Sequence, residues 1–196
     1  MKIAINGFGR IGRNVFKVAF EKKGVEIVAI NDLTNPKTLA YLLKYDSTYG
    51  VYNKNVDAKE GAITVDGKEI KVFAEKDPKN LPWKSLNVDV VIESTGVFRG
   101  ATGSKGGYMD HVTAGAKKVI LTVPAKDDIR TIVLGVNENH LLKTDLAVSN
   151  ASCTTNCLST VAKVLRDSFC FEEWLMTTIN AYKKDQVILN YAKKCT

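Results

Sequence analysis

Short apolar runs alternate with longer amphipathic segments over the first part of the chain. Residues 2–6 and 25–30 are apolar and rich in β-branched side chains, as is typical of buried strands. Residues 10–23 have the apolar spacing of an amphipathic helix that ends near a glycine, and Pro36 opens a second helix that runs to about Tyr45. The pattern therefore predicts two strand–helix pairs in succession.

A different pattern occupies residues 51–74. Apolar and polar positions alternate there, as in AITVD at residues 62–66, and Asp66-Gly67 is a strong turn signal. This stretch predicts antiparallel strands and a hairpin inserted into the main alternation.

The alternation resumes after the hairpin. Residues 88–93 predict a strongly buried strand, the Gly- and Ser-rich residues 99–107 predict a loop, and a helix follows up to about Ala116. Three further strands are predicted at residues 119–123, 132–136 and 146–149. Strands that alternate with helices form a parallel sheet covered by helices, so we expect an α/β fold with a Rossmann-type, doubly wound and mostly parallel sheet.

The pattern changes after the last of these strands. Residues 153–169 predict a helix and residues 174–182 a strand, after which the lysine-rich pattern is weak. The apolar face of the helix carries Cys153, Cys157, Val161, Val164 and Leu165. We therefore expect a Rossmann-type domain over residues 1–150 and the beginning of a second, incomplete domain over residues 151–196, since about 45 residues are too few for a core of normal size.

Composition narrows the class of protein. Of 196 residues, 45% are hydrophobic and 25% are charged, which is ordinary for a globular protein. No apolar run reaches the roughly 20 residues of a membrane span, and the N-terminus lacks the pattern of a secretory signal, so we expect a cytoplasmic location and no membrane partner. The net charge of +7 is spread over lysines along the whole chain, which predicts a solvated surface and no dedicated nucleic-acid site.

Histidines and cysteines are few. The four cysteines include no CxxC pair, and there are only two histidines, so no metal site is expected. We expect both His111 and His140 to lie on the surface.

The segment GFGRIG at residues 7–12 lies between the first predicted strand and the first predicted helix. In that context the GxGxxG spacing indicates a dinucleotide site: Gly7 permits a tight turn, Gly9 lets the backbone approach a pyrophosphate, and Gly12 lets helix and strand pack closely. The pyrophosphate would lie on the helix N-terminus, where free N–H groups favour an anion, with the positive charge of Arg10 beside it.

Two further features are expected at the same edge of the sheet. Asp32, twenty residues after Gly12, stands where a carboxylate binds the ribose hydroxyls and repels the extra phosphate of NADP, so the predicted cofactor is NAD. The sequence Ser94-Thr95-Gly96 follows the strand at residues 88–93, and ligands gather at the carboxyl ends of strands in open α/β sheets.

A cysteine stands at the start of the last predicted helix. A thiolate in the first helical turn is stabilised by the helix dipole and by free N–H groups, and Thr154 and Thr155 add hydroxyl donors. Cys153 is therefore a candidate nucleophile, and the alternative is that it is a small, buried apolar residue.

Five segments of the chain match the motifs of one family. They are INGFGRIGR at residues 5–13, NDL at 31–33, ESTGVF at 93–98, AKKVI at 116–120 and, most specifically, SNASCTTNC at 149–157. With these segments the chain resembles the glyceraldehyde-3-phosphate dehydrogenase family over about residues 1–182.

The resemblance implies a phosphorylating, NAD-dependent dehydrogenase of glycolysis. In such an enzyme Cys153 would attack the aldehyde of glyceraldehyde 3-phosphate, hydride would pass to NAD, and inorganic phosphate would release an acyl phosphate from the thioester. Ser152 and Thr154 would flank the substrate and its phosphate, and the molecule would be a homo-oligomer, a tetramer in the family. The implied cofactor-binding residues are Gly7, Gly9, Arg10, Ile11, Gly12, Asn31, Asp32, Lys76, Thr95, Gly96, Phe98 and Thr122.

Two positions depart from the family pattern. Asn180 occupies the place of the histidine that activates the thiol, and an amide cannot accept that proton. Lys183 replaces a phosphate-binding threonine, although lysine can hold a phosphate as a point charge. Two hypotheses stay open: an active dehydrogenase, or a catalytically impaired NAD-binding protein that lacks the general base and most of the substrate domain. A semialdehyde dehydrogenase fits the fold but fits residues 151–157 less well.

Overall fold

Strands and helices alternate along the computed structural model, which describes residues 1–169 and 172–181. In chain order the elements are β1 (Lys2–Asn6), α1 (Arg10–Phe20), β2 (Glu26–Asn31), α2 (Pro36–Lys44), β3 (Tyr45–Asp46), β4 (Gly50–Val51), β5 (Val56–Lys59), β6 (Ala62–Val65), β7 (Lys68–Phe73), β8 (Val90–Glu93), α3 (Asp110–Thr113), β9 (Lys118–Leu121), β10 (Ala147–Ser149) and α4 (Cys153–Ser168). Short 3₁₀ turns lie at Pro78–Asn80 and Glu138–His140.

Eight of the strands form one sheet in the order β10-β9-β8-β1-β2-β7-β6-β5. The strands from β10 to β7 are parallel, and β5 and β6 extend the sheet through antiparallel pairs. The chain leaves β1 towards β2 on one side and returns to β8 on the other, so the direction of winding reverses between β1 and β8. This arrangement confirms the predicted Rossmann-type α/β fold and places a ligand crevice at the reversal, by the general rule for such sheets.

The predicted hairpin is also present. Asp66 and Gly67 both have positive φ, 47° and 79°, between β6 and β7. A two-residue turn of this kind matches the twist of the strands it joins, and glycine accepts the conformation without steric cost. The β7 strand then pairs with β2, which joins the hairpin to the parallel sheet.

Apolar packing fixes α1 on the sheet. Phe16 is fully buried and meets Phe8 edge to face, with ring centroids 5.6 Å apart. Both rings belong to a core that includes Ile5 and Ile30 from the central strands and Leu43 from α2. This packing holds the N-terminus of α1 above the carboxyl end of β1.

The ladder of the parallel strands continues one residue beyond their carboxyl ends. Each N–H donates to the last carbonyl of a neighbouring strand: Gly7 to Asn31 and Ser94 to Asn6 at 2.8 Å, Thr122 to Glu93 at 3.0 Å, and Asn150 to Leu121 at 2.8 Å. The first residue of each connecting turn is therefore fixed at one rim of the sheet.

Two predicted elements between β8 and β10 differ from the structure. The helix before Ala116 is only the single turn Asp110–Thr113, because Gly115, at φ +107°, ends it. The strand predicted at residues 132–136 is wrong: the Ile132 N–H bonds to the Ser149 carbonyl, but Gly135 at φ +82° then reverses the chain.

The region after β10 also differs in part. The helix α4 forms as predicted, but none of its residues is buried. Residues 174–181 of the strand predicted at 174–182 are exposed and form no regular structure, and the last residue of that range lies outside the described residues. A strand needs a neighbour to pair its backbone groups, and none of the described strands lies beside this segment. Within the described residues, no helix has the length and apolar character needed to cross a bilayer.

Candidate functional site

The turn between β1 and α1 packs directly against the turn that follows β8. Gly7 has φ +89°, and a Cβ at this position would lie 2.6 Å from the Thr95 backbone nitrogen and 2.8 Å from the Ser94 carbonyl carbon. The Ser94 hydroxyl bonds to the carbonyl oxygens of Gly7 at 2.6 Å and of Asn6 at 3.0 Å. Only glycine fits at Gly7, because both its φ and the close backbone exclude a side chain.

The other two glycines of the motif have different surroundings. A Cβ at Gly12 would collide with the Gly7 carbonyl oxygen, so glycine lets α1 approach the turn closely. Gly9 is the N-cap of α1, and a Cβ there would meet no atom within 4 Å. The first turn of α1 carries no acidic side chain. This helix N-terminus is therefore open and electrostatically suited to an anion.

Asp32 lies beside the glycine turn. Its Oδ2 accepts a hydrogen bond from the Phe8 N–H at 2.7 Å, and its Oδ1 accepts one from the Thr34 N–H at 2.9 Å. The residue is half-buried. An ionised carboxylate has about four acceptor positions, so Asp32 has capacity for two further donors at the crevice.

A buried carboxylate holds Arg10 beside the same helix N-terminus. The Arg10 Nη1 donates to both carboxylate oxygens of Asp46, at 3.1 and 3.2 Å, and the Asp46 side chain is only 2% exposed. Burial raises the pKa of Asp46, but hydrogen bonds from the amides of Thr48 and Tyr49 and from Arg10 outweigh it, and the pKa is lowered. Sequence reasoning missed Asp46, although Asp-Ser-Thr at residues 46–48 is a typical turn signal.

The remaining predicted cofactor residues differ in their position along the chain and in their burial. Three lie in the turns that follow β8 and β9: Thr95, Gly96 and Thr122. Asn31 and Phe98 are buried, whereas Ile11 and Lys76 are exposed. The Asn31 amide donates to Asn6 Oδ1 at 2.7 Å and to the Glu75 carbonyl at 2.9 Å. It therefore links the ends of β1 and β2 to the segment that follows β7.

His111 is fully buried, and the prediction that it lies on the surface is wrong. Its Nε2 is 3.0 Å from Glu93 Oε2, and its Nδ1 is 3.0 Å from Trp83 Nε1. A polar side chain can be buried where its hydrogen-bonding groups are matched, as they are here. The sequence gives one indication of this pair: Glu93 is a carboxylate at the end of a strongly apolar strand, where it needs a hydrogen-bonding partner. His140 is exposed, as predicted.

Cys153 is the first residue of α4 and is exposed. The Ser152 Oγ caps the helix by accepting from the Thr155 N–H at 3.0 Å. Ala151, at φ +58°, shapes the preceding turn, and its N–H donates to Ser149 Oγ at 3.1 Å. The thiol therefore stands exposed at the capped N-terminus of α4. The alternative, a buried apolar cysteine, is wrong.

The other residues predicted on the substrate side lie in α4, in the irregular segment after it, or outside the described residues. Thr154 is half-buried in the first turn of α4. Asn180 is exposed in the irregular segment before residue 182. Lys183 lies outside the described residues. Within the described residues, no group of three or more His, Cys, Asp or Glu side chains could hold a metal ion.

Comparison with known proteins decides the family. Residues 1–101 match the family described as "Glyceraldehyde 3-phosphate dehydrogenase, NAD binding domain", and residues 152–195 match its "C-terminal domain". The chain belongs to the glyceraldehyde-3-phosphate dehydrogenase family. The first match covers the strands and helix that build the crevice, and the second begins at the N-cap of α4.

Individual relatives carry the same family name. The chain is 72% identical over 192 residues to the glyceraldehyde-3-phosphate dehydrogenase of Borreliella burgdorferi, covering 97% of this chain and 57% of that protein. It is 53% identical over 189 residues to that of Clostridium pasteurianum, covering 96% and 55%. It is 50% identical over 195 residues to that of Thermotoga maritima, covering 98% and 57%. The chain thus spans a little over half the length of these members of the glyceraldehyde-3-phosphate dehydrogenase family.

Proposed function

We propose that this chain binds NAD across the carboxyl edge of its sheet and carries the nucleophile of a phosphorylating glyceraldehyde-3-phosphate dehydrogenase. The observation that supports this most directly is that the glycine turn and the cysteine helix lie at the same edge of the sheet. The glycine turn follows β1 and the cysteine helix follows β10, and both strands point the same way in the sheet. Three strand spacings separate them, or about 14 Å.

The crevice fits a dinucleotide. The open N-terminus of α1 at Gly9 suits a pyrophosphate, Arg10 is held beside it by Asp46, and Asp32 has acceptor capacity for ribose hydroxyls. A cofactor held at this turn would lie at the same edge of the sheet as the end of β10 and Cys153.

Cys153 would perform the covalent chemistry. Its sulfur, exposed at the N-terminus of α4, would add as a thiolate to the carbonyl carbon of glyceraldehyde 3-phosphate. NAD, when bound, supplies the hydride acceptor for this oxidation. The acyl group then stays on the sulfur as a thioester, and attack by inorganic phosphate gives an acyl phosphate and returns the thiolate. Ser152, Thr154 and Lys183 are proposed to hold the substrate and its phosphate.

The second candidate function is an NAD-binding protein with impaired catalysis. The presence of Asn180 favours it, because an amide cannot act as a general base, and loss of a general base typically costs about 10²–10⁴ in rate.

A rate assay separates the two functions. We expect NADH to accumulate when the chain is mixed with NAD, glyceraldehyde 3-phosphate and inorganic phosphate, and we expect Cys153→Ala to abolish it. Cys157→Ala is the matched control, since Cys157 is also exposed but lies one turn along α4. Binding of NAD without turnover in the unmodified chain would instead support the second function.

The asparagine gives a second test. Asn180→His should raise the rate by about 10²–10⁴ if position 180 supplies the base. The pH dependence of thiol alkylation at Cys153 should shift with it, because a nearby imidazole promotes thiolate formation. An unchanged rate and an unchanged alkylation profile would show that position 180 does not act on the thiol.

The wider setting follows from the same family. We place the domain boundary between residues 150 and 151, and we propose a homo-oligomeric protein of the cytoplasm that works in glycolysis.

A further inference from the structure

A fully buried carboxylate lies at the point where the sheet reverses its winding. Glu93 is 0% exposed, and its two oxygens receive hydrogen bonds from the side chains or backbone of three residues. Oε2 accepts from Asn6 Nδ2 at 2.6 Å and lies 3.0 Å from His111 Nε2. Oε1 accepts from the Thr95 N–H at 2.8 Å and also from the Thr95 hydroxyl. Four donors fill the acceptor positions of an ionised carboxylate.

The hydrogen bond from Trp83 decides the state of His111. An indole N–H can only donate, so His111 Nδ1, 3.0 Å away, must present a lone pair. The imidazole is therefore neutral, with its proton on Nε2, and it donates to Glu93. The 3.3 Å contact of Nε2 with Asn6 Nδ2 then joins two donors and is not a hydrogen bond. The pair of His111 and Glu93 is a hydrogen bond to a carboxylate and not an ion pair.

This cluster connects the core to the crevice rim. On one side it begins at Trp83, which is fully buried. On the other side it ends at Thr95, whose backbone nitrogen is the atom nearest to where a Gly7 Cβ would be. Asn6 extends it to Asn31, which bonds to the backbone of Glu75 on both its N–H and its carbonyl.

We propose that Glu93 and His111 are positioning residues for the cofactor. Trp83 fixes the tautomer of His111, His111 and Asn6 orient the Glu93 carboxylate, and the carboxylate fixes the backbone and hydroxyl of Thr95 against the glycine turn. Neither Glu93 nor His111 is exposed, so we propose that each acts on the cofactor indirectly, through Thr95. This inference rests on the proposed binding of NAD.

The shape-preserving variant Glu93→Gln tests the proposal. An amide NH₂ would face at least one of the existing donors, and His111 cannot switch tautomer without opposing the Trp83 N–H. We expect NAD affinity, measured by calorimetry, to fall about tenfold, the equivalent of one hydrogen bond to a charged group. Far-UV circular dichroism and a urea transition establish that the variant is folded.

A double-mutant cycle separates positioning from a general structural role. If Glu93 acts through Thr95, then Glu93→Gln and Thr95→Val should each weaken NAD binding, and the double variant should lose little more than either single variant. Losses that add, or a folded Glu93→Gln with normal affinity, would overturn the proposal.

A second pair of variants applies if Glu93→Gln does not fold. His111→Gln should weaken NAD binding severalfold, whereas His140→Gln, at the exposed histidine, should leave it unchanged. Equal behaviour of the two variants would contradict a positioning role for His111.

The tautomer can be observed without any ligand. Because the chain has two histidines, a ¹⁵N spectrum of the imidazoles contains one buried and one exposed ring. His111 should show an unprotonated Nδ1 and a protonated Nε2, and the exposed His140 ring gives the second signal for comparison. A cationic or Nδ1-protonated His111 would overturn the proposal. If His111 has the expected tautomer but the unmodified chain does not bind NAD, the proposed function fails and the positioning role falls with it.

Discussion

Asp32 anchors the glycine turn, and we propose that it also binds the ribose of the cofactor. Its Oδ2 accepts a hydrogen bond from the Phe8 N–H, and its remaining acceptor positions are the ones proposed for the ribose hydroxyls. We expect Asp32→Ala to weaken NAD binding by about ten- to a hundredfold, since hydrogen bonds to charged groups contribute about 1.5–3 kcal/mol. The preference for NAD over NADP should fall as well, because the repelling charge is lost.

Asp32→Asn refines this test. The amide oxygen can still accept from Phe8, so the turn should keep its shape while the charge disappears. Titration of both variants with NAD and NADP gives the measurement. Equal affinity of the unmodified chain for the two cofactors would show that Asp32 does not select between them.

Individual residues were predictable where a motif states a backbone requirement. Gly7 and Gly12 are glycines because neighbouring backbone excludes a Cβ, which the motif's spacing implies. His111 and Asp46 were not predictable, because their partners lie 18 and 36 positions away along the chain, at Glu93 and Arg10. Only the folded sheet brings those pairs together.

The β1–α1 turn gives a test at the level of an element. Gly7→Ala should destabilise the chain by at least about 3 kcal/mol, because it combines a left-handed conformation with a collision against the Thr95 backbone. Gly24→Ala is the matched control: its φ is +79°, but a Cβ there meets no atom within 4 Å. It should cost only about 1–2 kcal/mol, the price of the conformation alone.

Urea unfolding of both variants provides the comparison. Similar losses at the two positions would mean that the turn after β8 yields to a methyl group, and that the packing of the two turns is looser than the structure indicates.

Elements were predictable where a regular pattern is long enough. The strands and helices from β1 to α2, the hairpin and α4 follow from periodicity and turn residues. The apolar residues at 132–136 predicted a buried strand, and Ile132 and Val133 are indeed buried. Their burial is local, however, since Asn137 Oδ1 accepts from the Val133 N–H and closes a turn.

For the whole molecule, aspartates with lowered pKa values predict a loss of stability in acid. The folded pKa of Asp46 is lowered relative to its ordinary value, so its contribution is complete above the unfolded pKa, about 3.9, and is lost as the pH falls through the folded value. The pKa values of Asp66, Asp89, Asp145 and Asp167 are lowered as well, mainly by hydrogen bonds to backbone amides or to basic side chains, and act in the same direction.

We therefore expect the free energy of unfolding to decline from about pH 5 downwards. Asp46→Asn should be less stable than the unmodified chain at neutral pH, and its stability should depend less on pH in the acid range. Asp57→Asn, at an exposed position on β5, is the control. Urea transitions at several pH values measure this, and parallel curves for all three proteins would contradict the assignment to Asp46.

The class of fold was predictable from the whole pattern, and the order of the strands was not. Alternating strands and helices imply a parallel sheet, but nothing local in the sequence states that β8 pairs with β1 and not with β7. The packing of Trp83 and Val91 in one cluster with Ala4 of β1 supports that pairing.

The extension of the ladder by one residue past each parallel strand has a consequence for how ligands are recognised. The residues in question form a row along one edge of the sheet: Gly7, Ser94, Thr122 and Asn150. A backbone hydrogen bond to the neighbouring strand fixes the position of each one. None of the four can move alone without breaking its hydrogen bond to the last carbonyl of the neighbouring strand. A molecule bound there would therefore contact a backbone edge of fixed shape. Substitutions change what this edge binds through the side chains that project from it.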